Sequence, residues 1–149
     1  SGTGVIILAN RDVHVFENDF ADNRSAHVLL TAYTEPFTDE RYNPLPRDIV
    51  VRDNRWSGGG TDPQGMLAPM AEALGGTLPA IVSDGATRWP GAESQVVNIV
   101  INEAPEVGFV NLGVGAYPIN PETLAPSMER PHGAPVAEPA AVKLPQDAE

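Results

Sequence analysis

A chain of 149 residues is one domain's worth, long enough to bury a core. Its 15 Pro and 14 Gly, in a sequence 42% hydrophobic and 19% charged, argue for short strands and turns and against a helical bundle. Twenty acidic residues against nine basic ones give a formal charge of −11, which disfavours nucleic acid and anionic membrane surfaces as partners; the lack of cysteine excludes disulfides, thiolate metal sites and a cysteine nucleophile.

Residues 4–23 read as strand, turn, strand, turn, and the strand-like stretch 27–33 restarts that pattern about 22 or 23 residues on. Arg11-Asp12 is answered by Arg47-Asp48, Val13 and Val15 by Ile49 and Val51, Asn18 by Asn54, and Phe20 by Trp56. Residues 34–46 read as a loop inserted within one repeat. Repeats of this kind stack as parallel strands about 4.8 Å apart, which sets like residues one above another. Asn18 over Asn54 is then an expected amide ladder, placed at a turn where Asn tolerates the left-handed conformation.

Past Trp56 the pattern changes. Asp62-Pro63 reads as a helix start, with Met66, Leu67, Met70 and Leu74 on one face and Gly75-Gly76 as the stop; Pro69 makes this helix kinked, or short and starting near the proline. The stretches "PAIVSDG", "VVNIVIN" and "GFVNLGV" are strand candidates, with Val97, Ile99 and Ile101 alternating against Asn98, Val100 and Asn102. From Tyr117 onward seven prolines in 33 residues preclude regular structure. The expected organisation is therefore stacked rungs over residues 1–62 with the inserted loop 34–46, a C-terminal cap over 63–116 made of a short helix and irregular strands, and an extended Pro-rich tail over 117–149. Residue 1 falls in mid-rung and two rungs are few for a stable solenoid, so the chain is expected to be the C-terminal part of something longer, or to sit against another chain.

On the strength of "GTGVIIL", "RDVHVFENDFADN", "SAHVLLTAY", "RDIVVRDNRW", "LPAIVSDG", "FVNLG" and "APSMERPHGAPVAEPAAVKLP", the sequence resembles the C-terminal portion of right-handed parallel β-helix repeat proteins. Among these it looks most like a bacterial envelope family often encoded beside a c-type cytochrome-like protein. The resemblance implies an all-β fold, the last rungs of a right-handed parallel β-helix with a short capping helix, and a periplasmic or extracellular location. It implies no catalytic residues. Two departures stand out: His27 takes the place where such repeats commonly carry Gly, and the C-terminal region lacks the cysteines expected of close relatives.

Candidate binding chemistry centres on the inserted loop, where Phe37, Asp39, Glu40, Arg41 and Tyr42 combine rings, carboxylates and a guanidinium suited to a sugar or a protein partner. Asp12 and Asp48, with Glu17 and Asp53, recur at matching offsets and could bind Ca²⁺ or perform acid–base work; the alternative is a solvated wall linked to Arg11, Arg47 and Arg52. His14, His27 and His132 lack metal-ligand spacing, and Gly58–Gly60 lacks the Lys-Ser/Thr of a phosphate loop. The functional expectation is a non-enzymatic scaffold or docking module in an envelope or extracellular assembly. Its expected partner is another polypeptide, a haem protein among the candidates, or the missing N-terminal rungs, with a glycan as a further candidate, no cofactor of its own beyond the Ca²⁺ candidates, no nucleic acid and no membrane insertion. The alternative is a carbohydrate-active enzyme (lyase, hydrolase or epimerase), which requires Asp12, Asp48 and Arg52 to converge on an open groove, or a glycan-binding module.

Overall fold

The computed structural model describes residues 2–146; residue 1 and residues 147–149, the ends of the first and last expected segments, lie outside it. In chain order it contains β1 (Thr3–Leu8), β2 (Arg11–Val15), β3 (Asp19–Ala21), β4 (Ala26–Thr31), β5 (Arg47–Arg52), β6 (Arg55–Ser57), α1 (Leu67–Ala73), β7 (Ile81–Ser83), β8 (Ala86–Arg88), β9 (Ile99–Asn102), β10 (Phe109–Asn111) and β11 (Gly115–Ala116). These strands form four separate sheets, ordered β1-β4-β7-β10, β2-β5-β9, β3-β6 and β11-β8, and every pairing between them is parallel.

The matched residues of the sequence set the register. Arg11 lies opposite Arg47, Val13 opposite Ile49, Val15 opposite Val51 and Phe20 opposite Trp56. The expectation of an all-β right-handed parallel β-helix is nevertheless overturned. The chain is mixed, about 31% strand and 5% helix, spread over several short parallel sheets with no single solenoid. The physical reason lies in the connections. Residues 32–46, 58–80 (which include α1) and 89–98 separate successive strands by connections of unequal length, and three of the strands they join, β6, β7 and β8, are only three residues long.

The expected terminal cap is corrected as well. β7 pairs with β4, β9 with β5 and β10 with β7, so residues 81–111 extend the sheets rather than cover them. β9 begins at Ile99 because Asn98 adopts φ +53°, which breaks the extended run read over 96–102. In α1, Pro69 falls in the first turn, where its missing N–H costs nothing. Leu67 and Ala71 are buried, Met66 is exposed rather than on the packed face, and Gly75 and Gly76 end the helix at φ +98° and +99°.

Two of the three apolar clusters form layers on the four-stranded sheet, and the third gathers Ala32, Leu45, Ala86 and Val114. Ile7, Val28, Leu30, Ile81 and Phe109 from the four-stranded sheet pack against Val15, Ile49, Val51 and Ile99 from the three-stranded one. On the other face of the four-stranded sheet, Ala26, Val82 and Val110 pack against Leu67 and Ala71 of α1. Burial on both faces explains why β4 reads as a near-continuous apolar run rather than an alternating one. Residues 125–138 lie along this chain's own sheets: Ser127 bridges Asn111 on the outer edge of β10, Ala134 N–H donates to Asn98 Oδ1 (2.8 Å), and Arg130 donates to the carbonyls of Glu103, Ala104 and Val107 (2.6–2.7 Å).

Candidate functional site

The inserted loop holds itself together. Phe37 and Tyr42 meet edge to face at 4.7 Å, and Tyr42 meets Tyr33 at 5.8 Å with the rings perpendicular. Arg41 donates three hydrogen bonds to the Asp39 carboxylate, from its backbone N–H, its Nε and its Nη2, all at 2.9–3.0 Å. The side-chain bonds, then the backbone one, hold the Asp39 carboxyl below the usual carboxylate range, and the side-chain bonds to Asp39 hold the guanidinium above its own. The base of the loop is pinned by buried Leu45 and by Asn43, which accepts from Leu45 N–H and donates to Gln95 Oε1. Glu40 is exposed, and its carboxylate takes no part in the loop's hydrogen bonds to Asp39 and Asn43.

The carboxylate column disperses into ion pairs. Asp48 accepts from Arg11 Nε (3.0 Å) on one oxygen and from Asn98 Nδ2 (3.0 Å) on the other, while Asp12 lies 3.6 Å from the same Arg11 nitrogen. The Asn98 bond, then the Arg11 bond, lower the Asp48 pKa. Both Asp48 oxygens are thus taken, and no group of three or more His, Cys, Asp or Glu that could hold a metal ion occurs among the described residues. Arg52 belongs to a different cluster: its guanidinium sits 4.1 Å over the Phe16 ring, donates to Asp53 (3.0 Å) and lies 3.7 Å from Glu138. Asp12, Asp48 and Arg52 do not converge on one groove, which removes the constellation the carbohydrate-active reading requires.

Asn18 Nδ2 and backbone N–H both donate to Asn54 Oδ1 at 3.0 Å. The ladder has a third member: Asn54 N–H and Nδ2 donate to Glu103 Oε1 (3.1 and 2.9 Å). Left-handed backbone belongs not to these asparagines but to the residues before them, Glu17 (φ +56°) and Asp53 (φ +53°). The sequence hides Glu103 because a carboxylate replaces the amide after a long interruption.

His27 is also a structural anchor. It is buried, its Nε2 lies 2.8 Å from the Gly58 carbonyl and its Nδ1 2.9 Å from Asn23 Nδ2, a pattern that assigns the proton to Nε2. Its ring packs 5.8 Å from both Phe20 and Trp56, themselves stacked at 4.8 Å. Gly59 must be glycine here, since a Cβ would stand 2.7 Å from His27 Nε2 and φ is +89°. His14 is half-buried and its two buried ring nitrogens have no hydrogen-bond partner among the described residues, and His132 is exposed on the tail beside Glu129 (3.4 Å).

The strand edges differ at the two ends of the sheets. At one end the tail lies along β10 and the turn before β9. At the other, β1, β2 and β3 are all edge strands with no described neighbour on their outer side. Ile6 and Leu8 of β1 are 47% and 39% exposed. Ile6 aligns with Leu29 and through it with Val82, so it continues the apolar face that α1 covers further along. No described helix is long and apolar enough to cross a membrane. No protein-family model matches this sequence, and no curated protein and no solved structure matches it either.

Proposed function

We propose that the chain is a non-enzymatic scaffold or docking module that takes a further polypeptide segment, from another chain or from a preceding part of the same protein, along the edge formed by β1, β2 and β3. The observation that carries this reading is the contrast between the two ends. A parallel edge with exposed Ile6 and Leu8 is a template for strand addition, and proteins normally blunt such edges with charge, proline or a covering segment. This chain covers one end with its own tail and leaves the other uncovered among the described residues. The charge of −11 favours a cationic partner. The resemblance read from the sequence supports a bacterial envelope or extracellular setting and a haem-bearing protein as one candidate partner. Catalysis has no comparable support, because Asp12 and Asp48 pair with Arg11 while Arg52 pairs with Asp53, in separate clusters.

The test is native mass spectrometry of the tagged chain recovered from its own cells, with Ile6→Lys/Leu8→Lys alongside. A stoichiometric polypeptide on the parent chain that is absent from the double variant, with circular dichroism unchanged, supports strand-edge docking. A lone chain, or a partner retained by the double variant, overturns it.

A further inference from the structure

β6 has β3 on one side and no strand on the other, and a groove of about 550 Å³ opens on that free side. Its wall includes Trp56, Asn54, Pro79, Glu103, Glu106 and Val107. Phe20 is stacked on one face of Trp56, on the β3 side, so the second indole face is the one turned toward the groove. Glu103 is fixed through Oε1 by Asn54, which leaves its other oxygen without a hydrogen bond among the described residues; Glu106 is exposed and makes no ion pair there. No Arg or Lys lines the groove.

An aromatic face flanked by two carboxylates is a recognised receptor for organic cations. The same molecule already uses those parts once: Phe16, Asp53 and Glu138 surround the guanidinium of Arg52. The loop 103–107 also receives a second guanidinium through its carbonyls, that of Arg130, which itself is not among the groove residues. We propose that the groove between Trp56, Glu103 and Glu106 binds a guanidinium or alkylammonium group, either a basic side chain of a polypeptide or a free small cation. The site is built on β6 and the 103–108 segment, and its test does not depend on whether the β1–β3 edge takes a partner.

Trp56 and Trp89 are the two tryptophans, so a Trp89→Phe background makes indole emission report on Trp56 alone. N-acetyl-arginine amide, tetramethylammonium and a basic hexapeptide containing one arginine are titrated, with N-acetyl-leucine amide as the neutral control and sodium chloride held constant. The expected result is a saturable change with the cations and none with the leucine derivative, weakened roughly 5-fold or more in Glu106→Gln, whose exposed position leaves folding intact. Binding of the hexapeptide roughly 10-fold tighter than the arginine amide assigns the site to a polypeptide side chain; tetramethylammonium binding at least as tightly as the hexapeptide assigns it to a free cation. No saturable change with any cation, or equal affinity in Glu106→Gln, overturns the proposal. Retention of cation binding in Ile6→Lys/Leu8→Lys separates this outcome from that of the strand-edge test.

Discussion

Asp84 is a buried carboxylate that the sequence presents only as the middle of a Ser-Asp-Gly turn. Its Oδ2 accepts from Ala32 N–H (2.7 Å), Thr31 Oγ1 (3.1 Å) and Tyr117 OH (3.2 Å), and its Oδ1 from Ala86 N–H (2.9 Å). It therefore ties β4, β8 and the start of the tail to one point. Asp84→Ala strands several buried donors at once, and a loss of about 3 kcal/mol or more in urea unfolding is expected. Tyr117 carries the complementary signature. Burial first, then the charge of Asp84, pushes its phenol well above the ordinary tyrosine value. A folded-state pKa raised above the unfolded one, about 10, means this contribution to stability is complete below that pH. It is lost as pH rises toward the folded-state value. A tyrosinate absorbance titration should thus show a late step that Tyr117→Phe removes, and a step persisting in that variant would contradict the assignment.

At the scale of elements, the glycines separate two causes of the same constraint. Gly76 ends α1 at φ +99° with open space where a Cβ would go. Gly76→Ala should therefore cost only the conformational penalty, about 1 kcal/mol. Gly60 sits at φ +69°, donates its N–H to Asn23 O (2.9 Å) and accepts from Leu78 N–H (2.9 Å), and a Cβ there runs into the Leu78 carbonyl. Gly60→Ala should cost clearly more than Gly76→Ala in the same thermal-denaturation series, and equal costs would show that the 60–78 connection yields easily. Legibility divides along similar lines. Parallel pairing of residues 11–20 with 47–56 could be read directly, because Val13/Ile49 and Phe20/Trp56 repeat both residue type and offset. β8 and β11 are two or three residues long and carry Gly, Ala, Thr and Arg, too little for periodicity to act on. The whole architecture is not legible for a related reason. Repetition in two strands says nothing about the irregular connections 58–80 and 89–98, and those decide how many strands each sheet collects. Within the inserted loop, residue types alone do not tell which groups pair with one another; proximity in space joins Asp39 to Arg41 and Phe37 to Tyr42.

For the molecule as a whole, the tail is held by chemistry rather than by regular structure. Between Ser127 and Glu138 the chain is extended and proline-rich, and its attachment rests on a few polar anchors, of which Arg130 is the densest. One planar guanidinium reaches three carbonyls on the 103–107 turn, and a carbonyl at a sharp turn has few other donors to satisfy it. Arg130→Ala leaves those acceptors to water at the rim of the sheets and removes charge-assisted bonds that together hold the segment about 2 kcal/mol below its released state. That corresponds to roughly 30-fold more opening, so limited proteolysis within residues 120–138 should accelerate by about 10-fold or more, while the core strands stay protected. Arg130→Lys should lie close to the alanine variant, because a single ammonium cannot span three carbonyls in the plane of a fork. If instead lysine fully restores protection, simple charge attraction to the acidic surface holds the tail, and the outer edge of β10 is then covered by long-range electrostatics, which salt should weaken.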